Sequence, residues 1–303
     1  MKTFLLVTAW TLAISLNAKQ LDLKKVSDGS NWIMHMDFES MRSSEISSFI
    51  EDSLESIPEM ENRVKDVQNK FGIDLKEVSN LTVFGTGEKD KGIGILENGV
   101  DASVVTEVTR ARDYIVEKKV GKKTIFSTNK GRRPMAFSVL KKGKIVFGPD
   151  RDYVLEGIHL ANNKGKGTKA HPLLQNLKNS IIDPGFLLFA DVEQIAGYTD
   201  SNSKMSLMVN KIDSCGIVIG DEEGAVKMIA FVQANSEESA INMENMIRGA
   251  LAMMEMKMAK EERMSPLFEG HKLVREHSLI KLDVNFSVLA IIDLIKKEMK
   301  KKV

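Results

Sequence analysis

The sequence predicts an α+β protein of two related halves, each a mainly antiparallel sheet with helices on one face, in an elaborated ferredoxin-like plan. Three observations predict it. Short apolar runs bounded by turn residues recur along the chain, as strands require. Helical periodicity returns at matching places in the two halves. The spacing that separates Gly85 from Gly220 also separates Asp101 from Ser236, which is the mark of an internal repeat.

The elements follow in order. Residues 31–37 alternate, with Trp32, Met34, Met36 and then Phe38 on the expected core face and His35, Asp37 and Glu39 toward solvent. The counterpart strand is 186–191. Further strands are expected near 79–86, 92–97, 114–119, 123–128, 135–140, 144–148, 214–220, 226–234, 271–276 and 279–285. Helices are expected near 43–55, 59–70, 101–112, 150–161, 170–179, 236–262 and 287–301. Asp191 with Gln194, and Asn235 with Glu238, have capping-box spacing. Residues 162–169 are polar, contain Gly and lack periodicity, so they read as the linker between a first repeat (19–161) and a second (162–303).

Residues 1–18 read as a secretory signal. Lys2 supplies the positive charge, Phe4 to Leu16 are apolar, and Ala18 offers a small residue for cleavage. The apolar stretch is shorter than the roughly 20 residues a membrane-spanning helix needs. The mature chain is therefore expected to be exported, periplasmic or extracellular, with no transmembrane segment. Cys215 is the one cysteine, so no internal disulfide is available, and its apolar strand makes it a core thiol. The chain's net charge of +1 falls to neutral once Lys2 leaves, which argues against general nucleic-acid binding.

Sites were weighed one by one. His35, Asp37 and Glu39 could supply metal ligands from one strand face, but a solvated face is the plainer reading. The glycines at 85, 87, 92 and 94 sit between two strands, which makes a hairpin and not a phosphate loop. Met243, Met246, Met253, Met254, Met256 and Met258 crowd one helix and cannot all fit one stripe, so some should be exposed. No cofactor is implied.

A leader followed by strand–Asp–helix units, Trp32 to Asp37 and Phe186 to Asp191, resembles bacterial secreted proteins of unknown function built from duplicated strand–helix units. His171-Pro172-Leu173-Leu174, leading through Asp183-Pro184-Gly185 into the second unit, adds to the likeness. The resemblance implies an exported two-unit protein and brings no catalytic residues.

Charge is the strongest functional signal. From Ile115 to Arg151, eleven Lys and Arg stand against two acids, while from Asp37 to Asp66 nine acids stand against three bases. The candidate surface for an anionic partner is Lys122, Lys123, Arg132, Arg133, Lys141, Lys142 and Lys144. Its turns gather at the two ends of an antiparallel sheet, so two of the clusters should meet at the same end. The expected function is an exported, non-enzymatic protein that binds a macromolecular or cell-envelope partner: an anionic glycan, a lipid surface or a protein. The alternative is a hydrolase-type enzyme with a site assembled between the halves.

Overall fold

The computed structural model describes residues 21–49, 65–66, 68–69, 71–128, 134–169, 171–195, 209–222, 224–260 and 268–300. The leader 1–18, most of the helix expected at 59–70, and Arg132 and Arg133 lie outside the described residues.

The strands are β1 (Trp32–Asp37), β2 (Asn80–Gly85), β3 (Ile93–Glu97), β4 (Ile115–Val120), β5 (Lys123–Thr128), β6 (Met135–Leu140), β7 (Lys144–Gly148), β8 (Phe186–Asp191), β9 (Ile212–Glu222), β10 (Ala225–Ala234), β11 (Phe268–Glu276) and β12 (Leu279–Ser287). They form not two sheets but one, in the order β11-β12-β10-β9-β8-β1-β2-β3-β7-β6-β5-β4. Each adjacent pair is antiparallel. Outward from β8 the order is β9, β10, β12, β11. Outward from β1 it is β2, β3, β7, β6, followed by the β5 and β4 hairpin.

The helices are α1 (Phe38–Arg42), α2 (Ala102–Arg110), α3 (Arg151–Ala161), α4 (Pro172–Lys178), α5 (Val192–Ile195), α6 (Glu237–Lys260) and α7 (Val288–Lys300). Their starts are set by local chemistry. Asp101 and Asp150 each accept two backbone N–H groups at the heads of α2 and α3. Asp191 accepts from Gln194 N, as its spacing predicts. At α6 the cap is Ser236, which accepts from Ser239 N, and not Asn235, whose amide instead donates to the Asn210 carbonyl.

Two expectations are corrected. The first is the face of β1. Ile33, His35 and Asp37 are buried, while Trp32, Met34 and Met36 are only half-buried. The cause is the strand's central place. Ile33 lies opposite Phe84 on one side and Phe189 on the other, and this face receives the leucines of α4 and the apolar side of α3. The apolar stripe Trp32, Met34 and Met36 is half-buried on the reverse face, so alternation alone does not decide which face is the core. The polar residues on the core face are satisfied there: His35 Nδ1 lies 2.9 Å from Thr82 Oγ1, and Asp37 caps α1 by accepting from Ser40 N.

The second correction concerns the helices, which occupy both faces of the sheet. Phe231 belongs to the main core with α3 and α4, whereas its neighbour Val232 packs with Ala240, Met243 and Ile280 in a separate cluster under α6. Adjacent strand residues point to opposite faces, so α6 covers the reverse side. On α6 the methionines divide as expected: Met243 is buried, and Met246, Met253 and Met256 are exposed. Cys215 is half-buried, on the reverse face with its strand partner Val232, and burial pushes its thiol up.

The main core is close-packed where α3 crosses the sheet. A Cβ built on Gly157 would lie 2.5 Å from Val146 Cγ1 and 2.7 Å from Ile93 Cγ2. Both neighbours are buried and cannot retreat. Gly157→Ala gains about 1 kcal/mol of helix propensity, yet overpacking costs about 1–3 kcal/mol. Net destabilisation is expected, and denaturant unfolding that showed the variant more stable than the native chain would refute this packing.

Candidate functional site

The basic segment is built from two hairpins. Val120 pairs with Lys123 across a two-residue turn, Gly121-Lys122, in which Gly121 has φ +59°. Gly in the first central position is what the tight hairpin turn of this class requires. Leu140 pairs with Lys144 across Lys141-Lys142-Gly143. Here Lys142 itself has φ +62°, a left-handed backbone that costs a non-Gly residue about 1 kcal/mol. In the order β7-β6-β5-β4 these two turns emerge at the same end of the sheet.

That end holds a cleft of about 760 Å³. Lys122, Lys123, Lys141, Lys142 and Lys144 all line it, so five of the seven candidate residues meet around one concavity. Arg110, near the end of α2, joins them. Phe126 and Val139 contribute apolar walls, and Asn162 and Asn163, just past α3, close one side. Among the described residues the lining contains six cationic side chains and neither a carboxylate nor a histidine.

The six cations are not equivalent. Arg110 is held by Glu117 through a two-pronged contact, Nε to Oε2 at 2.8 Å and Nη2 to Oε1 at 3.0 Å. Lys144 donates to Glu97, a buried carboxylate that also accepts from Lys25 Nζ at 2.8 Å. Among the described residues, Lys122, Lys123, Lys141 and Lys142 have no carboxylate within ion-pair distance. Lys122, Lys141 and Lys142 are exposed, with Lys123 partly so. Lys118 and Lys119 extend the positive surface along β4, the last strand of the sheet. Charge on such an edge also blocks strand pairing with another chain.

Other sequence candidates do not converge. His35 points into the core, Asp37 caps a helix, and Glu39 lies in the first turn of α1 rather than on the strand. Burial raises the Asp37 carboxyl above its ordinary range despite the cap. Of the acidic segment, residues 50–64 lie outside the described residues. What sequence reasoning missed is the Lys25–Glu97–Lys144 cluster and the place of Arg110. Glu97 is 72 residues from Lys25 and 47 from Lys144, so no local spacing could reveal them.

No family model matches the sequence, and no curated protein matches it. The fold has counterparts among solved structures. Crystal form III of TP0453, a bacterial protein, superposes with a TM-score of 0.52 over 91% of this chain and 98% of that one, at 8% identity. Crystal forms I and IV of the same protein each give 0.50 over 92% of this chain and 98% and 97% of theirs, at 10% and 9% identity. The likeness is one of fold and extends nearly end to end. No described helix is long and apolar enough to cross a membrane.

The Glu97 cluster sets the acid limit of the fold. Burial pushes this carboxyl up, but hydrogen bonds from Lys144 and Lys25 outweigh it and hold Glu97 at about 2 against an ordinary 4.5. The folded value is the lower one, so the stabilisation is complete above the unfolded value and is lost as pH falls from about 4.5 through about 2. A difference of this size corresponds to about 3 kcal/mol. Glu97→Gln should therefore lower unfolding stability by about 3 kcal/mol at pH 7, with the gap to the native chain closing toward pH 2. A gap that stays constant with pH, followed by urea unfolding, would show that the cluster contributes no such linkage.

Proposed function

We propose that this chain is an exported, non-enzymatic protein whose basic sheet end docks on an anionic partner of the cell envelope. The observation that carries the reading is four lysines from two hairpins that, among the described residues, have no carboxylate partner and line one cleft with no acid. Exposed ammonium groups held together without counter-charges repel one another, and an anionic surface relieves that repulsion. Each such lysine contributes about 1 kcal/mol of attraction near an anionic lipid surface at low salt.

Two further features belong to the same proposal. Export rests on residues 1–18, whose charge, apolar length and terminal Ala18 have the form of a secretory signal. Origin by duplication rests on the spacing shared by the two halves, and the common strand order outward from β1 and from β8 supports it. In that reading the β4–β5 hairpin is an addition to the first half alone, and it brings Lys122 and Lys123 to the cleft.

Two measurements test the proposal. Protein recovered from its native host should begin near Lys19; an intact Met1 on the mature chain would remove the export claim. In sedimentation, the chain should bind phosphatidylglycerol vesicles and not phosphatidylcholine vesicles, with binding that weakens as salt rises, because exposed charges are screened beyond about 8 Å at physiological ionic strength. Changing Lys122, Lys123, Lys141 and Lys142 together to Gln should abolish most of it. Equal binding by native and variant chains would place the contact elsewhere.

A further inference from the structure

We propose that the cleft is a discrete binding site for a ligand bearing at least two phosphate groups, an inference that rests on the reading of the basic end as an anion-docking face. A flat basic surface needs only charge. This end has a concavity of about 760 Å³, within the range typical of small-molecule sites. Among the described residues its unpaired cations come as two pairs from separate hairpins, Lys122 in a turn with Lys123 at the head of β5, and Lys141 with Lys142. Phosphate monoesters carry between one and two negative charges each near neutral pH, so two of them match four ammonium groups.

The type of cation is compatible with phosphate. Among the described lining residues the one guanidinium, Arg110, already has its planar fork engaged by Glu117. What remains are ammonium groups, which bind phosphate oxygens as point charges without a planar fit. Neutral donors stand beside them: Asn163 and Thr124 line the same cleft. Lys142 adds a second, independent observation. It occupies a left-handed turn position where Gly or Asn fits without strain, so the sequence places a charge at the cleft against its own backbone preference. The phosphates could belong to a lipid headgroup or to a soluble compound; the recognition chemistry is the same, and the experiment separates the sources.

The test uses the chain from Lys19 onward, inorganic tripolyphosphate as the probe, and citrate at matched ionic strength as the carboxylate comparison, followed by titration calorimetry. Saturable one-to-one binding of tripolyphosphate, at least about tenfold tighter than citrate, is expected. The double variant Lys122→Gln/Lys142→Asn should lose at least about tenfold in affinity with a thermal midpoint no lower than that of the native chain, since Asn suits the left-handed position better than Lys. If phosphatidic acid vesicles displace tripolyphosphate, the source is a lipid headgroup; if they do not, it is a soluble phosphate, and the site stands in both cases. Equal affinity for citrate, or full affinity in the double variant, overturns the site. Vesicle binding without tripolyphosphate binding overturns the cleft while leaving the docking face intact, and failure of both removes the two readings together.

Discussion

The antiparallel pairing of β1 with β8 is the contact on which the rest of the molecule depends. It sets Ile33 opposite Phe189 and His35 opposite Leu187, and it turns what would be two sheets into one of twelve strands. The main core then draws on both sides of this seam: Phe84, Val146 and Ile158 on the β1 side, Leu174, Leu177 and Val218 on the β8 side. A slip of one residue would present Trp32, Met34 and Met36 to the leucines of α4 and turn Ile33, His35 and Asp37 away. His35 would leave Thr82, and Asp37 could no longer cap α1. Register at this seam is therefore fixed by packing and by polar satisfaction at once.

The charged residues divide into those that hold the fold and those left over. Glu97 is buried at 4% exposure and would be costly alone. Two ammonium groups satisfy it, one from β7 and one from the short 3-10 turn Leu23–Lys25. That contact fastens the N-terminal segment against the first half. The Ser27–Gly167 bridge fastens it again, at the segment expected to be a bare linker. Lys144 is thereby spent on structure although it lines the cleft, and Arg110 is spent on Glu117. Among the described residues Lys122, Lys123, Lys141 and Lys142 have no such carboxylate partner, which separates them from the committed cations of the same cleft.

Much of the architecture was legible locally. Hairpins announced themselves by Gly between apolar runs, and helix starts by Asp101, Asp150 and Asp191. Capping and tight turns involve residues two to four apart, so their signals lie in adjacent sequence. The core face of β1 is the reverse of the expected one because the buried His35 and Asp37 are satisfied by Thr82 and the head of α1, contacts that strand alternation does not show. The side of the sheet that α6 covers was hidden for a related reason, since a helix pattern shows which stripe is buried and not which surface buries it.

The sequence by itself determined the element order, the α+β class, the paired spacing of the halves and the concentration of lysines between Ile115 and Arg151, because each is a property of neighbouring residues. It also placed two lysine turns two strands apart, at either end of the β5–β6 pair, and antiparallel strands send such turns to the same sheet end. Only the tertiary structure decided that α2 and the end of α3 enclose that end as a cleft, and that Glu97 takes Lys144 and Lys25 out of the free set. Enclosure and charge pairing depend on distances between residues far apart in the chain, and those distances exist only after β1 and β8 have closed the sheet.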